Sequence, residues 1–139
     1  MRGVFADTGY WIALVNPNDG LHRKAKEVSQ QLGALTLVTS DMVLVEVLNM
    51  FAERGTHLRQ AAVATVQAVA ADPGIEVVPQ TRRLFRDAYD LYRTRSDKDW
   101  SLTDCASFVI MDERQIGDAL TYDGNFVQNG YRALLRDDK

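Results

Sequence analysis

The fold class is set first by residues 4–15, which read VFADTGYWIALV. The run Val4-Phe5-Ala6 is short and apolar, as expected of a buried strand, and it ends at Asp7. The segment 8–15 follows at once and is predicted as a short helix. Asp7 is therefore expected at the junction, at the carboxyl end of the first strand.

The same alternation of strand and helix continues along the chain. A dense turn cluster at 16–20 ends the first helix. Further strands are predicted at 36–39, 75–78, 119–121 and 131–134, and further helices at 21–32, 41–54, 58–71, 82–95 and 102–114. Alternating elements favour a parallel sheet that is covered on both faces. We therefore predict an α/β fold, a three-layer α/β/α sandwich with a short, mostly parallel central sheet, formed as a single domain over residues 1–139.

Composition limits the class of protein. The chain has 139 residues, of which 46% are hydrophobic and 25% are charged, as expected for a globular domain. It has no apolar run of the roughly 18–20 residues that a membrane span needs, and its first residues lack the apolar stretch of a secretory signal. Cys105 is the single cysteine, so no internal disulfide is expected. These features predict a cytoplasmic protein with no membrane association.

Three acids fall at the edge where such sheets bind ligands, outside the carboxyl ends of the strands. Asp7 ends the first strand, Asp123 follows the fourth, and Asp104 lies in the first turn of a helix that Ser101 can cap. Each has a structural alternative, because Ser101 and Asp104 fit a capping box and Asp123 begins a common turn pair with Gly124. In a parallel sheet, all three side chains project toward one edge of the domain.

Glu46 is harder to explain by structure alone, because it lies in residues 42–51, within the most apolar helix predicted. A carboxylate there is partly desolvated and needs a counter-charge, a hydrogen-bond network or protonation. No Lys or Arg lies one turn away on the helix, so a salt bridge would have to come from elsewhere in the fold. A metal ion is the better match. Carboxylates without a Cys/His pair at zinc spacing suit Mg²⁺ or Mn²⁺.

Four segments in this order resemble the PIN domain, and within it the small VapC-like endoribonucleases of bacterial and archaeal toxin–antitoxin loci. They are residues 5–9 (FADTG), 39–49 (TSDMVLVEVLN), 97–108 (DKDWSLTDCASF) and 119–126 (ALTYDGNF). Each segment alone is a weak signal, but the four in the right order are specific. The resemblance covers nearly the whole chain, from residue 4 to about residue 134.

The resemblance implies a set of site residues. The matching catalytic and metal-binding acids are Asp7, Glu46, Asp104 and Asp123. Thr8 and Thr121 match positions where the family often has a hydroxyl that orients carboxylates or phosphate. Asp99 is either an auxiliary acid, a solvated loop residue or a partner of the helix dipole. Many relatives carry a further Asp where this chain has Asn125, so Asp123 must supply the fourth carboxylate alone.

The resemblance also implies a reaction, in which metal-activated water hydrolyses an RNA phosphodiester with Mg²⁺ or Mn²⁺ as cofactor. The protein would then be the toxin of a type II toxin–antitoxin pair, with RNA as substrate, an antitoxin as partner and a homodimer as its assembly. The alternative is a PIN-fold module that has lost catalysis and binds RNA or protein. A receiver-like phosphoacceptor domain is disfavoured, because its second acid would not lie inside a helix.

The charge of the chain is the main objection to an RNA-binding function. Its net charge is −3 and its pI is about 5.3. Four of the nineteen acids belong to the proposed site, so the rest of the chain carries a net charge of +1. Bound divalent cations would reverse the charge of the site itself. Basic residues also concentrate at 82–98, where Arg82, Arg83 and Arg86 form either a solvated helix face or a contact with the RNA backbone.

Overall fold

The computed structural model describes residues 3–33 and 35–136, and a five-stranded sheet forms its centre. The strands are β1 (Gly3–Ala6), β2 (Thr36–Ser40), β3 (Ile75–Val78), β4 (Asp118–Leu120) and β5 (Arg132–Ala133). They are hydrogen-bonded in the order β3-β2-β1-β4-β5, and each neighbouring pair is parallel. The predicted α/β fold with a parallel central sheet is confirmed.

Seven helices lie within these described ranges and connect the strands. They are α1 (Thr8–Val15), α2 (His22–Leu32), α3 (Asp41–Met50), α4 (Thr56–Ala71), α5 (Arg82–Thr94), α6 (Leu102–Glu113) and α7 (Gly124–Gln128). Connections between parallel strands are right-handed as a rule, which for this strand order puts α1–α4 on one face of the sheet and α5–α7 on the other. The packing agrees, since α1 contacts α2, α3 and α4, whereas α5 packs on α6. This is the expected three-layer arrangement; that residues 1–139 form a single domain stays a prediction.

Burial of the central strand explains why its sequence is continuously apolar. Val4, Phe5 and Ala6 are all buried, as expected for a parallel strand with helices on both faces. On the α5–α7 face, the Phe108 ring packs edge-on against Trp100 and Phe126, with ring centroids 5.0 and 4.9 Å apart. These aromatic contacts hold α6 and α7 together at the carboxyl edge of the sheet.

Helix α3 is shorter than predicted. It ends at Met50 rather than near Arg54, because the chain turns at Phe51, whose ring is fully buried. The chain then reaches Gly55, which has a φ of +94° and directly precedes α4. Only glycine adopts that conformation without strain, so Gly55 separates the two helices.

Helix α7 is not expected from the sequence, because Gly124 and Asn125 are typical turn residues. The Asp123 carboxylate begins the helix by accepting a hydrogen bond from the Asn125 backbone N–H, with an N···O distance of 2.9 Å.

Among the helices of residues 3–33 and 35–136, none is long and apolar enough to cross a membrane.

Candidate active site

The four predicted acids come from four different elements and line one pocket of about 450 Å³, called the acid pocket below. Asp7 joins β1 to α1, Glu46 lies in α3, Asp104 lies in the first turn of α6, and Asp123 precedes α7. The other lining residues are Thr8, Gly9, Asp99, Ser101, Thr121, Tyr122 and Asn125. No lysine or arginine from the described part of the chain lines this pocket. The structure thus brings the acids together at the carboxyl ends of the strands.

Asp7 is the most deeply buried of these acids, with 6% of its surface exposed. The Thr121 hydroxyl donates a hydrogen bond to Asp7 Oδ2 at 2.9 Å. Burial, which is the largest cause, and the negative charges of Asp104 and Asp123 raise the pKa of Asp7, which is about 7 in the folded protein instead of 3.8. Hydrogen bonds from the Thr8 backbone and from Thr121 oppose that rise in pKa. A cation beside Asp7 would therefore relieve a real electrostatic cost.

Asp104 takes part in both the capping box and the acid pocket. Its Oδ2 accepts hydrogen bonds from the Ser101 backbone N–H at 3.2 Å and from Asn125 Nδ2 at 3.1 Å. The Ser101 hydroxyl accepts in return from the Asp104 backbone N–H at 3.0 Å, so the predicted capping box is present. Burial raises the pKa of Asp104, and the nearby Asp123 and Glu46 charges add to the effect. Among the described residues, Oδ1 has no hydrogen-bond partner and remains available to a ligand.

Glu46 is half-buried, and a hydroxyl satisfies part of its hydrogen-bonding capacity. The Thr8 Oγ1 atom donates to Glu46 Oε1 at 2.6 Å, which links α1 to α3. Within residues 3–33 and 35–136, Glu46 forms no ion pair. The salt-bridge alternative for Glu46 is therefore not what the structure shows. The carboxyl group of Glu46 is therefore oriented by a neutral hydroxyl, and the residue lines the acid pocket.

Thr121 connects two of the acids. Its hydroxyl donates to Asp7 and accepts from the Asp123 backbone N–H at 3.0 Å. Asp123 is itself exposed, and its side chain caps α7 through Asn125. The family resemblance implies a further acid at position 125, and here the Asn125 amide donates to Asp104 instead.

The carboxylate and hydroxyl oxygens of the acid pocket suit a divalent cation that keeps several of its water ligands better than one enclosed entirely by protein ligands. In the described ranges, no three Asp, Glu, His or Cys side chains already form a group that could hold a metal ion. Mg²⁺ usually keeps several waters and uses only one or two protein carboxylates, so it does not require such a group. His22 is engaged elsewhere, with Nδ1 hydrogen-bonded to the Ala13 carbonyl at 2.7 Å. The pocket therefore offers oxygen donors of the kind that Mg²⁺ and Mn²⁺ prefer.

The three predicted substrate-binding arginines do not line the acid pocket. Arg83 forms ion pairs with Glu113 at 2.9 Å and with Asp87 at 3.0 Å. Arg82 and Arg86 line a separate cavity on α5, and the Arg82 guanidinium lies 5.8 Å from the Phe85 ring centroid. A contact between these arginines and RNA stays a prediction, and Arg83 would first have to leave its carboxylate partners.

Tyr122 belongs to the pocket but was not identified by sequence reasoning. Its ring is half-exposed, and the Arg136 guanidinium lies 4.7 Å from the ring centroid. Arg136 Nη1 also donates to the Tyr122 carbonyl at 2.6 Å. The available signal was its position between Thr121 and Asp123, both of which are site candidates.

Comparison with known proteins identifies the family. The profile of the PIN domain matches residues 4–130. This chain belongs to the PIN domain family. The resemblance found in the four sequence segments is thereby confirmed, and the acid pocket lies within the matched part of the PIN domain.

Relatives of this PIN domain include a characterised toxin. The chain is 30% identical over 128 residues to the 23S rRNA-specific endonuclease VapC20 from two strains of Mycobacterium tuberculosis, a match that covers 92% of this chain and 95% of the relative. The crystal structure of M. tuberculosis VapC20, described as a sarcin–ricin loop cleaving toxin, superimposes with a TM-score of 0.83 at 28% identity and the same coverage. The chain is therefore a homologue of a VapC toxin, and this homology supports a VapC-like ribonuclease.

Proposed function

We propose that this PIN domain is a Mg²⁺- or Mn²⁺-dependent endoribonuclease and the toxin of a type II toxin–antitoxin pair. The convergence of Asp7, Glu46, Asp104 and Asp123 on one pocket without a lining lysine or arginine, within the described residues, carries the proposal. Homology to VapC20 supports RNA as the substrate, and PIN nucleases generally depend on divalent metal ions. The cytoplasmic location expected from the sequence belongs to the same proposal.

The proposed reaction is hydrolysis of one phosphodiester bond. A bound divalent cation would lower the pKa of a water molecule and offset the negative charge that builds up on the phosphate oxygens. The water oxygen bonds to phosphorus while the bond to the 3′ oxygen breaks, which leaves a 5′-phosphate and, after proton transfer, a 3′-hydroxyl. No serine or histidine nucleophile is needed.

The residues of the pocket have distinct parts in this proposal. Asp7 and Asp104 are the principal cation ligands, because both are buried and share the negative field of the pocket. Thr8 holds the Glu46 carboxylate, and Thr121 holds Asp7. These hydroxyls are positioning groups that keep the carboxylates in place before the substrate arrives.

An exposed RNA loop is the proposed class of substrate. Proteins read RNA sequence mainly in single-stranded loops, where the bases are unstacked and accessible. VapC20 is described as specific for 23S rRNA and as cleaving the sarcin–ricin loop. Ribosomal RNA is therefore the first substrate to test for the present chain.

A protein partner is also part of the proposal. Val45, Leu48 and Met50 on α3 and Val63 on α4 are large apolar side chains with between 38% and 56% of their surface exposed. Exposed apolar residues concentrated on adjoining helices are a common feature of protein interfaces. This surface supports an antitoxin or a second copy of the chain as partner. Light scattering of the chain alone, and then with the product of the neighbouring gene, separates the two.

Substitution of the acids tests the proposed function. Purified protein is incubated with ribosomal RNA and Mg²⁺, and Asp7→Asn and Asp104→Asn are compared with the parent. Loss of a cation ligand is expected to lower the cleavage rate on the order of 100-fold or more. Asp112→Asn is the matched control, because Asp112 is exposed near the other end of α6.

The outcomes separate the proposal from its alternative. Full cleavage by Asp7→Asn and Asp104→Asn would contradict the assignment of the site. RNA binding without cleavage by the parent, with either Mg²⁺ or Mn²⁺, would favour the catalytically inactive PIN-fold module. Loss of cleavage in Asp112→Asn would show that the loss reflects general damage to α6 rather than removal of a ligand.

A further inference from the structure

A second cavity, of about 550 Å³, lies directly beside the acid pocket, and we call it the basic groove. Its lining residues are Tyr92, Arg93, Arg95, Ser96, Lys98, Asp99, Trp100 and Ser101. Asp99 and Ser101 line both cavities, so the two adjoin each other. Both volumes fall within the roughly 300–1,000 Å³ typical of small-ligand sites.

Helix packing explains why the groove lies at this place. The ion pair between Arg83, near the start of α5, and Glu113, at the end of α6, shows that the two helices run antiparallel. The end of α5 therefore lies beside the start of α6, where Asp104 is located. Residues 95–101 connect these two ends and form the wall between the groove and the acid pocket.

The two cavities have opposite charge. Five acids line the acid pocket, whereas the groove has three cations and the shared Asp99. An RNA strand carries one negative charge per nucleotide, and the acid pocket without bound cations repels it. Attraction for the strand must therefore come from cations close to the pocket, and the basic groove supplies them.

The cations of the groove differ in their availability. Arg95 pairs with Asp97 at 3.1 Å and Arg93 with Asp90 at 3.5 Å, and both pairs are exposed. Exposed ion pairs are weak, so a phosphate can compete for Arg93. Among the residues the structure describes, Lys98 forms no ion pair.

Aromatic side chains in the groove are suited to nucleobases. Tyr92 has 52% of its surface exposed at the end of α5. Trp100 is buried, and the Arg95 guanidinium lies 5.1 Å from its ring centroid. The Trp100 Nε1–H is buried without a hydrogen-bond acceptor among the described residues, which is unusual for a buried donor. A groove with cations, an exposed ring and an unpaired donor has the features of a site for single-stranded nucleic acid.

We propose that the basic groove binds the RNA nucleotides next to the scissile phosphate, and this proposal rests on the function proposed above. Lys98 and Arg93 contact backbone phosphates, and the Tyr92 ring stacks on a base. Arg95 is a positioning residue, because its guanidinium donates two hydrogen bonds to the Asp97 carboxylate and lies over the Trp100 ring. The acid pocket supplies the chemistry, and the groove supplies most of the affinity for the strand.

RNA binding tests this assignment separately from cleavage. The probe is a fluorescently labelled oligo-uridylate of about 12 nucleotides, within the range of known single-strand sites. Its affinity is measured by anisotropy with Mg²⁺ in an Asp7→Asn background, in which cleavage is expected to be lost. Lys98→Ala is expected to weaken binding at low salt and to reduce the slope of log affinity against log salt by about 0.7.

Substitutions of Tyr92 test the stacking contact. Tyr92→Ala is expected to weaken binding by roughly 5-fold or more, whereas Tyr92→Phe retains the ring and binds like the parent. Arg132→Ala is the matched charge control. Arg132 begins β5 and pairs with Asp118 at the start of β4, so it lies at the amino-terminal ends of the strands, whereas the acid pocket lies at their carboxyl ends. Arg132→Ala is expected to leave the affinity within about 2-fold of the parent.

Tryptophan emission gives an independent readout. Trp11 is buried, with its indole N–H donating to Thr39 Oγ1 at 3.3 Å, and it does not line the groove. RNA that enters the groove is expected to change the emission of the parent, and Trp100→Phe is expected to remove that change.

The outcomes of these measurements are distinct. Parent-like affinity and salt slope in both Lys98→Ala and Tyr92→Ala would overturn the groove assignment, even if the protein cleaves RNA. Weakened binding in both, together with no cleavage by the otherwise unmodified chain, would support the groove and contradict the proposed nuclease. In the cleavage assay, Lys98→Ala is expected to raise KM while kcat is retained.

Discussion

Replacement of Asp7 by Asn is expected to stabilise the metal-free protein at neutral pH while it abolishes cleavage. Asp7 is buried among other acids, and its pKa is raised from 3.8 to about 7. Between these two pH values the native state binds a proton that the unfolded state has already lost. Stability therefore falls as the pH rises through this window, and above about pH 7 the total cost reaches about 4 kcal/mol.

The asparagine variant avoids that cost and can keep the hydrogen bond from Thr121. Asn has the same shape as Asp, and its amide oxygen can accept the hydrogen bond that Thr121 now donates to Asp7 Oδ2. Thermal unfolding is followed by circular dichroism in EDTA at about pH 8 and about pH 4. A gain in Tm of roughly 10–15 °C over the parent is expected at about pH 8, and most of that gain should disappear at about pH 4.

Asp112→Asn is the control for the loss of one negative charge, because Asp112 is exposed. It is expected to show no comparable pH-dependent gain. The reasoning is refuted if Asp7→Asn is no more stable than the parent at about pH 8, or if its advantage does not depend on pH. A separate expectation concerns Mg²⁺. Its addition should raise the Tm of the parent by more than it raises the Tm of Asp7→Asn, because the cation relieves a charge that the variant lacks.

Three further substitutions test individual contacts. Thr8→Val removes the hydroxyl that donates to Glu46 at 2.6 Å, and kcat for RNA cleavage is expected to fall about 10-fold with Tm little changed. Asn125→Asp removes the amide donor to Asp104 and adds a negative charge, so Mg²⁺ should raise the Tm of this variant by more than it raises that of the parent. Ser101→Ala removes the N-cap of α6 and should cost about 1 kcal/mol, seen as a loss of a few degrees in Tm, whereas Ser101→Thr should retain most of the stability.

Much of the fold could be predicted from the local pattern of apolar, capping and turn residues in the sequence. The apolar run before Asp7 predicted the central strand, and alternation of strands with helices predicted a parallel sheet, because both follow from burial on two faces. The capping box of Ser101 and Asp104 predicted the start of α6 correctly. Helix α7 was missed because its first residues, Gly124 and Asn125, carry a turn signal that is stronger than any helical periodicity in five residues.

The position of the acids was also predictable, whereas the contacts between them were not. Asp7 and Asp123 follow the carboxyl ends of parallel strands, so their meeting at one edge follows from the sheet, whereas Glu46 reaches the pocket from within α3. The hydrogen bond from Thr8 to Glu46 joins residues 38 positions apart, and it depends on how α1 packs on α3. The concentration of basic residues at 82–98 indicated the charge of the basic groove, but the cavity itself depends on the antiparallel packing of α5 on α6.

The most direct test of the central claim is cleavage of ribosomal RNA by EDTA-treated protein before and after Mg²⁺ or Mn²⁺ is restored. We predict no cleavage in EDTA, full recovery with either cation, and no recovery in Asp104→Asn at the same cation concentration. The expected products carry 5′-phosphate and 3′-hydroxyl ends. Cleavage that continues in EDTA, or that Asp104→Asn performs as well as the parent, would contradict a metal-dependent reaction at the acid pocket.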